Sequence, residues 1–139
     1  MTRLHKGGCA CGLVRYHVKG NPSICQICHC TFCQRRSGSA FATVAYFDER
    51  DVTFVQGELK QYEHRSDESG RWLRTEFCPS CATTVTHTVE VRPGLRAIAM
   101  GTLDDPDWLT IQRHIWVQSK RSWVSIPEGM VTFPKAATA

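Results

Sequence analysis

Residues 25–33 read CQICHCTFC, so four cysteines and one histidine fall within nine positions. Two further pairs, Cys9-x-Cys11 and Cys78-x-x-Cys81, flank this stretch along the chain. Cysteines at such short intervals present paired sulfurs to one metal ion. A closed cage of four thiolates makes a structural zinc. Three protein ligands with the fourth position open make a catalytic one.

The spacings sort the eight cysteines. Cys9, Cys11, Cys78 and Cys81 combine two short pairs into one closed structural zinc site. That site would tie the N-terminal strand to the strand ending at Phe77. The middle group is ambiguous. Cys25, Cys28, Cys30 and Cys33 could close a second cage, or Cys28, Cys30 and Cys33 could hold zinc with one side open. Four ligands within nine residues are crowded, which favours three. His29 stands between two candidate ligands, and adjacent side chains diverge, so it reads as a loop residue or one behind the ligands rather than as a ligand. His5, His17, His64, His87 and His114 show no metal spacing and read as strand or surface residues.

Composition sets the frame. With 139 residues, 42% hydrophobic and 22% charged, the chain suits one domain with one core. The start, MTRLHKGGCACG, has no apolar signal-peptide region, and no apolar run reaches membrane-spanning length. A cytoplasmic protein is the expectation, and a reducing compartment argues against disulfides. The formal charge of +4 counts every cysteine as neutral. Seven thiolates around two Zn²⁺ ions remove three charges and leave +1. The only basic runs are QRRSG and SKRS, so charge argues against a nucleic-acid partner.

The elements that must position these cysteines read as strands. LVRYHV (13–18), FATVAYF (41–47), VTFV (52–55), LKQYEH (59–64), WLRTEF (72–77), TVTHTVEV (84–91), RAIAMGTL (96–103) and HIWVQ (114–118) are rich in β-branched and aromatic residues. Gly, Pro and Asp-rich turns separate them, which predicts an antiparallel all-β domain. No segment sustains a helical period. DDPDW (104–108) reads as a turn, and the tail after Pro134 reads as frayed. In so small a β domain, metal could stabilise the fold by itself, since zinc binding in small peptides is worth roughly 10–16 kcal/mol.

Four segments together carry a resemblance: GGCACGLVRY, CHCTFCQRRSGSAF, FCPSCATTV and HIWVQSKRSWVSIPEGMVTFP. In this order they resemble the glutathione-dependent formaldehyde-activating family, which also includes centromere protein V-like proteins. The likeness runs from about residue 5 to residue 134, within a single zinc-binding domain of residues 1–139. It implies a tent-like β fold stapled by zinc, two zinc ions per chain, and an activity of the S-(hydroxymethyl)glutathione synthase type, a carbon–sulfur lyase. It places Cys9, Cys11, Cys78 and Cys81 on the structural site and Cys28, Cys30 and Cys33 on the catalytic one. Two departures stand out. Ala82 occupies a position where the family usually has glycine, which bears on the turn beside the structural zinc. Cys25 is an extra thiol that could close the open site, guard it against oxidation, or pack in the core.

An open zinc on three thiolates holds an added thiol as thiolate, which can attack an aldehyde carbonyl. The implied partners are therefore glutathione, or a similar small thiol, and formaldehyde or another small aldehyde. Glutathione's carboxylates need cations, and Arg35 and Arg36 follow the cysteine loop directly. Lys120 and Arg121 are further candidate contacts. Phe41, Trp116 and Trp123 are candidate pocket residues, and Gly38 and Ser39 shape the turn after the loop. Two other readings stay open here: a zinc-stabilised binding module, and an enzyme acting on a different small metabolite. The sequence supplies no evident general base and no signal for oligomeric state.

Overall fold

The computed structural model of the protein describes residues 3–137. Its strands are β1 (Leu4–Gly8), β2 (Arg15–Lys19), β3 (Ile24–Cys28), β4 (Ala42–Asp48), β5 (Val52–Gln56), β6 (Lys60–Arg65), β7 (Trp72–Phe77), β8 (Thr84–Val89), β9 (Leu95–Ala99), β10 (Arg113–Ile115) and β11 (Val131–Thr132). One helix, α1 (Thr31–Ser37), follows β3. The strands form a three-stranded sheet, β1-β2-β5, and an eight-stranded sheet, β11-β10-β3-β4-β9-β8-β7-β6.

The two faces of the large sheet do different work. Alternating residues point to opposite faces. Cys25, Ala45, Phe47, Val85 and Ile98 pack with Tyr16 and Val18 of the small sheet, and with Val14 just before it, into the main core. The opposite face carries Cys28 beside Ala42, Tyr46 beside Ala97, and Ala97 beside His87. Helix α1 lies against β4 beside this second face. β1 lies close to the core: a Cβ on Gly7 would come within 2.5 Å of the Tyr16 hydroxyl and the Thr102 carbonyl. Glycine is therefore the residue that lets β1 close over Tyr16.

All eight segments expected as strands contain one, with ends displaced by a few residues. The expectation of a wholly antiparallel, all-β chain needs correction in two respects. β10 pairs in parallel with both β3 and β11. Parallel partners can be far apart in sequence, and here residues 29–112 separate β3 from β10, so no local pattern announces the pairing. Helix α1 is also present. Seven residues are too few to show a period, and its limits are set by end chemistry. The Cys30 sulfur caps its start by accepting the Cys33 N–H. Gly38 closes its end at φ 68°, donating its N–H to the Gln34 carbonyl. The tail is not frayed as far as residue 137. The N–H groups of Trp116 and Gln118 donate to the Lys135 and Pro134 carbonyls, and Ala137 packs against the cluster formed by Cys28, Cys33, Ala42 and Ile115. Residues 138–139 lie outside the described residues.

Candidate metal centres and the adjoining cleft

The loop after β1 and the turn between β7 and β8 bring four cysteines together. The sulfurs of Cys9, Cys11, Cys78 and Cys81 all lie within 4.8 Å of one another. Cys9–Cys11 and Cys11–Cys78 are 3.6 and 3.8 Å apart. Four sulfurs at about 2.3 Å from zinc define a tetrahedron with edges of about 3.8 Å. The spacing therefore fits a tetrahedral thiolate metal site. Backbone donors face the sulfurs: the Val14 N–H reaches Cys9 at 3.2 Å, and the Ser80 and Cys81 N–H groups reach Cys78 at 3.4 and 3.5 Å. The Thr83 hydroxyl, which sequence reading passed over, joins the two loops. It accepts the Ala10 N–H at 3.1 Å and lies 3.1 Å from the Cys81 sulfur. Ala82, in the same turn, adopts φ 65°, the left-handed region where glycine is at ease.

A second cluster contains three sulfurs, those of Cys28, Cys30 and Cys33, again within 4.8 Å of one another. Cys28 ends β3, Cys30 caps α1 and Cys33 lies in its first turn. Cys25 is not among them. It lies on the core face of β3, and its N–H donates to Gln112 Oε1. The three sulfurs cannot all ionise without a cation. Hydrogen bonds from Cys28 and then Cys33 pull Cys30 down to about 3. The bond to Cys30, then that to Cys33, and burial push Cys28 well above the ordinary thiol range. Cys33 is lowered by its bond to Cys28, but its bond to Cys30 and burial outweigh this and raise it to about 11. A divalent cation with a preference for soft ligands relieves that conflict, and zinc fits the donor set.

His29 lies behind the cluster, fully buried. Its Nε2 and His114 Nδ1 share a hydrogen bond of 2.8 Å, and its N–H donates to the Ile115 carbonyl. His114, a strand residue in β10, is thus also a buried partner of the cysteine loop. Gln34 adds a clamp: its amide donates to the His29 and Ser119 carbonyls at 2.7 and 3.0 Å. Neither His114 nor Gln34 carried a sequence signal, because each matters only through a partner about 85 residues or five residues away that the fold supplies.

The cluster opens onto a cleft of about 940 Å³, within the usual size of small-molecule sites. Its floor is the outer face of the large sheet, with Tyr46 and His87, and α1 contributes one wall. Arg35 and Arg36 both line it, and Arg36 Nη2 lies 3.9 Å from the Cys33 sulfur. The Arg36 Nε is buried without a hydrogen-bond partner. Arg92, which sequence reading did not single out, also lines the cleft, with its guanidinium 5.6 Å from the Tyr46 ring. Lys120 stands outside the lining. Its ammonium donates to the Arg121 and Val124 carbonyls at 3.1 and 2.7 Å. Arg121 likewise donates to the Ser119 carbonyl. Trp116 lines the cleft at φ 57°. Phe41 packs edge-on against His29, and Trp123 is 74% exposed, away from the cleft. Gly38 serves as the helix cap, and the Ser39 N–H donates to the Ser37 hydroxyl.

The fold and the clusters together define a small, mostly β domain with two cysteine sites able to hold metal. The comparisons with known proteins carry this further. Residues 4–119 match the family described as glutathione-dependent formaldehyde-activating enzyme, and the chain belongs to that family. Among solved structures, a Rhodobacter sphaeroides protein shares the fold with a TM-score of 0.59 and 22% identity, covering 92% of this chain and 98% of its own. No curated protein matches the chain.

Proposed function

We propose that this protein is a zinc-dependent carbon–sulfur lyase that forms and breaks the adduct of glutathione, or a similar small thiol, with formaldehyde or another small aldehyde. The observation that carries this reading is the three-cysteine cluster, open to a cleft lined by arginine, with Cys25 turned away. Cys9, Cys11, Cys78 and Cys81 would hold one zinc as a structural staple between the two sheets. Cys28, Cys30 and Cys33 would hold a second. Bound there, zinc supplies a position at which an incoming thiol is held as its thiolate.

The chain's own residues do the rest. Cys30 and Cys33 are fixed by the first turn of α1, and Cys28 by the β3–β4 pairing, so the open position faces the cleft. Arg36 presents a buried Nε beside the cluster, suited to a carboxylate of the thiol. Arg35, more exposed on the same helix, extends that positive wall. The cysteine usage suits a reducing compartment, so the cytoplasm is the proposed location. Among the described residues no helix is long and apolar enough to cross a membrane.

Formaldehyde adds to glutathione without help, so the test compares rates. Exchange spectroscopy on glutathione and formaldehyde, with and without metal-loaded protein, should show faster interconversion when protein is present. Equal rates would sink the formaldehyde reading. In parallel, glutathione should shift the visible spectrum of protein carrying cobalt at the Cys28–Cys30–Cys33 site. Adduct exchange without acceleration, but with such a shift, would point to a different thiol metabolite.

A further inference from the structure

The floor of the cleft holds two buried polar side chains that the reaction above has not used. Tyr46, on β4, pairs with Ala97 of β9, which pairs with His87 of β8. The three residues therefore form one row across the sheet, all facing the cleft side. Ala97 has only a methyl group, so the Tyr46 ring can lean across it. Its hydroxyl and His87 Nε2 share a hydrogen bond of 3.3 Å, and the rings meet edge to face at 5.9 Å. Both side chains are almost wholly buried, yet both line the same cleft as Cys28, Cys30 and Cys33. The other buried tyrosine offers a contrast. Tyr16 lies in the core, where its hydroxyl bonds Thr102 at 2.7 Å.

We propose that the Tyr46 hydroxyl is a catalytic hydrogen-bond and proton donor to the aldehyde oxygen, and that His87 is the residue that positions it. The inference rests on the thiol–aldehyde reading of the site. In the direction of addition, the thiol first releases its proton to water. A sulfur lone pair then forms the carbon–sulfur bond, and the carbonyl π pair moves to oxygen. That oxygen takes the Tyr46 proton, and Tyr46 recovers one from water. The net change joins thiol and aldehyde into a hydroxyalkyl thioether. In the direction of cleavage, the hydroxyl proton returns through Tyr46 as the carbon–sulfur bond breaks. Aligned donation to a developing oxyanion is worth far more in a secluded cleft than in water.

The geometry makes a demand on His87. Tyr46 can turn its proton toward the cleft only if His87 Nε2 carries a hydrogen and donates to the phenol oxygen. The opposite tautomer would accept the phenol proton and turn it away. Charged and titratable groups face the pair from several elements. Arg36 and Arg92 act on Tyr46 along with Cys28 and Cys33, and Arg36, Cys30 and Arg96 act on His87. Burial first, then Arg36, holds His87 down to about 3, so its neutral form persists at working pH.

Four measurements on the metal-loaded full chain test this. The ¹⁵N shifts of His87, assigned with His87→Gln, should report the Nε2–H tautomer; the Nδ1–H tautomer overturns the proposal before any turnover is measured. Tyr46→Phe should slow catalysed exchange about 10²-fold while the glutathione-induced shift of the cobalt spectrum stays within about twofold of wild type. His87→Gln, which keeps an N–H donor, should retain more activity than His87→Leu. Unchanged exchange in Tyr46→Phe overturns the role of Tyr46. Should wild type show no acceleration, the adduct reading fails separately, and binding preference still decides Tyr46. Wild type should favour 2-mercaptoethanol over ethanethiol at the cobalt site, and Tyr46→Phe should erase that preference; an identical preference in both proteins overturns the inference.

Discussion

Cys25 and Cys28 stand three residues apart on β3 and face opposite sides of the large sheet. Cys25 packs in the core against the small sheet, while Cys28 meets Cys33 and Ile115 beside the cleft. The odd spacing alone forces this, because side chains alternate along a strand. Cys25→Ala should therefore keep the full metal content and lose about 1 kcal/mol of stability through a small core cavity. Cys28→Ser should instead lose about one metal ion per chain. Metal analysis by mass spectrometry on both variants checks this. Loss of metal in Cys25→Ala would show that the thiol reaches the site.

Ala82 tests the turn beside the first cluster. Its φ of 65° places a Cβ in the left-handed region, which costs an alanine roughly 1–2 kcal/mol relative to relaxed backbone. Ala82→Gly should stabilise the metal-loaded protein, by about 1 kcal/mol after the added freedom of the unfolded glycine is counted. The midpoint of urea unfolding should move up. A lower midpoint would mean that the methyl group contributes packing that outweighs the strain.

His87 predicts a pH dependence. Its folded pKa is depressed from 6.5 to about 3, by burial and then by Arg36. The unfolded chain thus binds a proton that the folded one refuses. Stability from this group is fully present above about pH 6.5 and is lost as pH falls toward 3. The slope due to one such proton is about 1.4 kcal/mol per pH unit. His87→Gln should show a shallower loss of melting temperature between pH 7 and 5, with metal-site protonation common to both proteins. Parallel curves would mean His87 is protonated in the folded state.

Arg36 should discriminate among thiols by charge. Its Nε is buried beside the cluster, and a charged hydrogen bond is worth about 1.5–3 kcal/mol. Arg36→Gln should weaken glutathione binding at the cobalt site by roughly tenfold or more. Binding of ethanethiol, which has no carboxylate, should change little. Equal weakening of both thiols would assign Arg36 to holding the Cys33 sulfur rather than the ligand.

Much of the strand content was legible because β-branched and aromatic runs between turn residues need only local chemistry, as in TVTHTV and WLRTEF. Helix α1 was not, since its limits come from a sulfur cap at Cys30 and from Gly38, features that leave no period in seven residues. β1, β3 and β11 were missed for related reasons: β1 carries Gly7 and Gly8, two of the five β3 residues are cysteines whose roles as ligand or core depend on facing, and β11 is only two residues long.

The sequence by itself determined the pairing of Cys9 and Cys11 with Cys78 and Cys81 as a candidate set, which follows from short-range spacing. It also carried the family likeness, which lies in ordered local motifs. The left-handed backbone at Ala82 came only with the structure. Only the tertiary structure decided that Cys25 leaves the second cluster, that Lys120 is spent on its own turn while Arg92 enters the cleft, and that His29 meets His114. Only the sheet order brought Tyr46 and His87 into one row over Ala97. These are contacts between residues far apart in the chain, chosen by strand pairing and by which face each strand buries, and no local pattern encodes them before the core has formed.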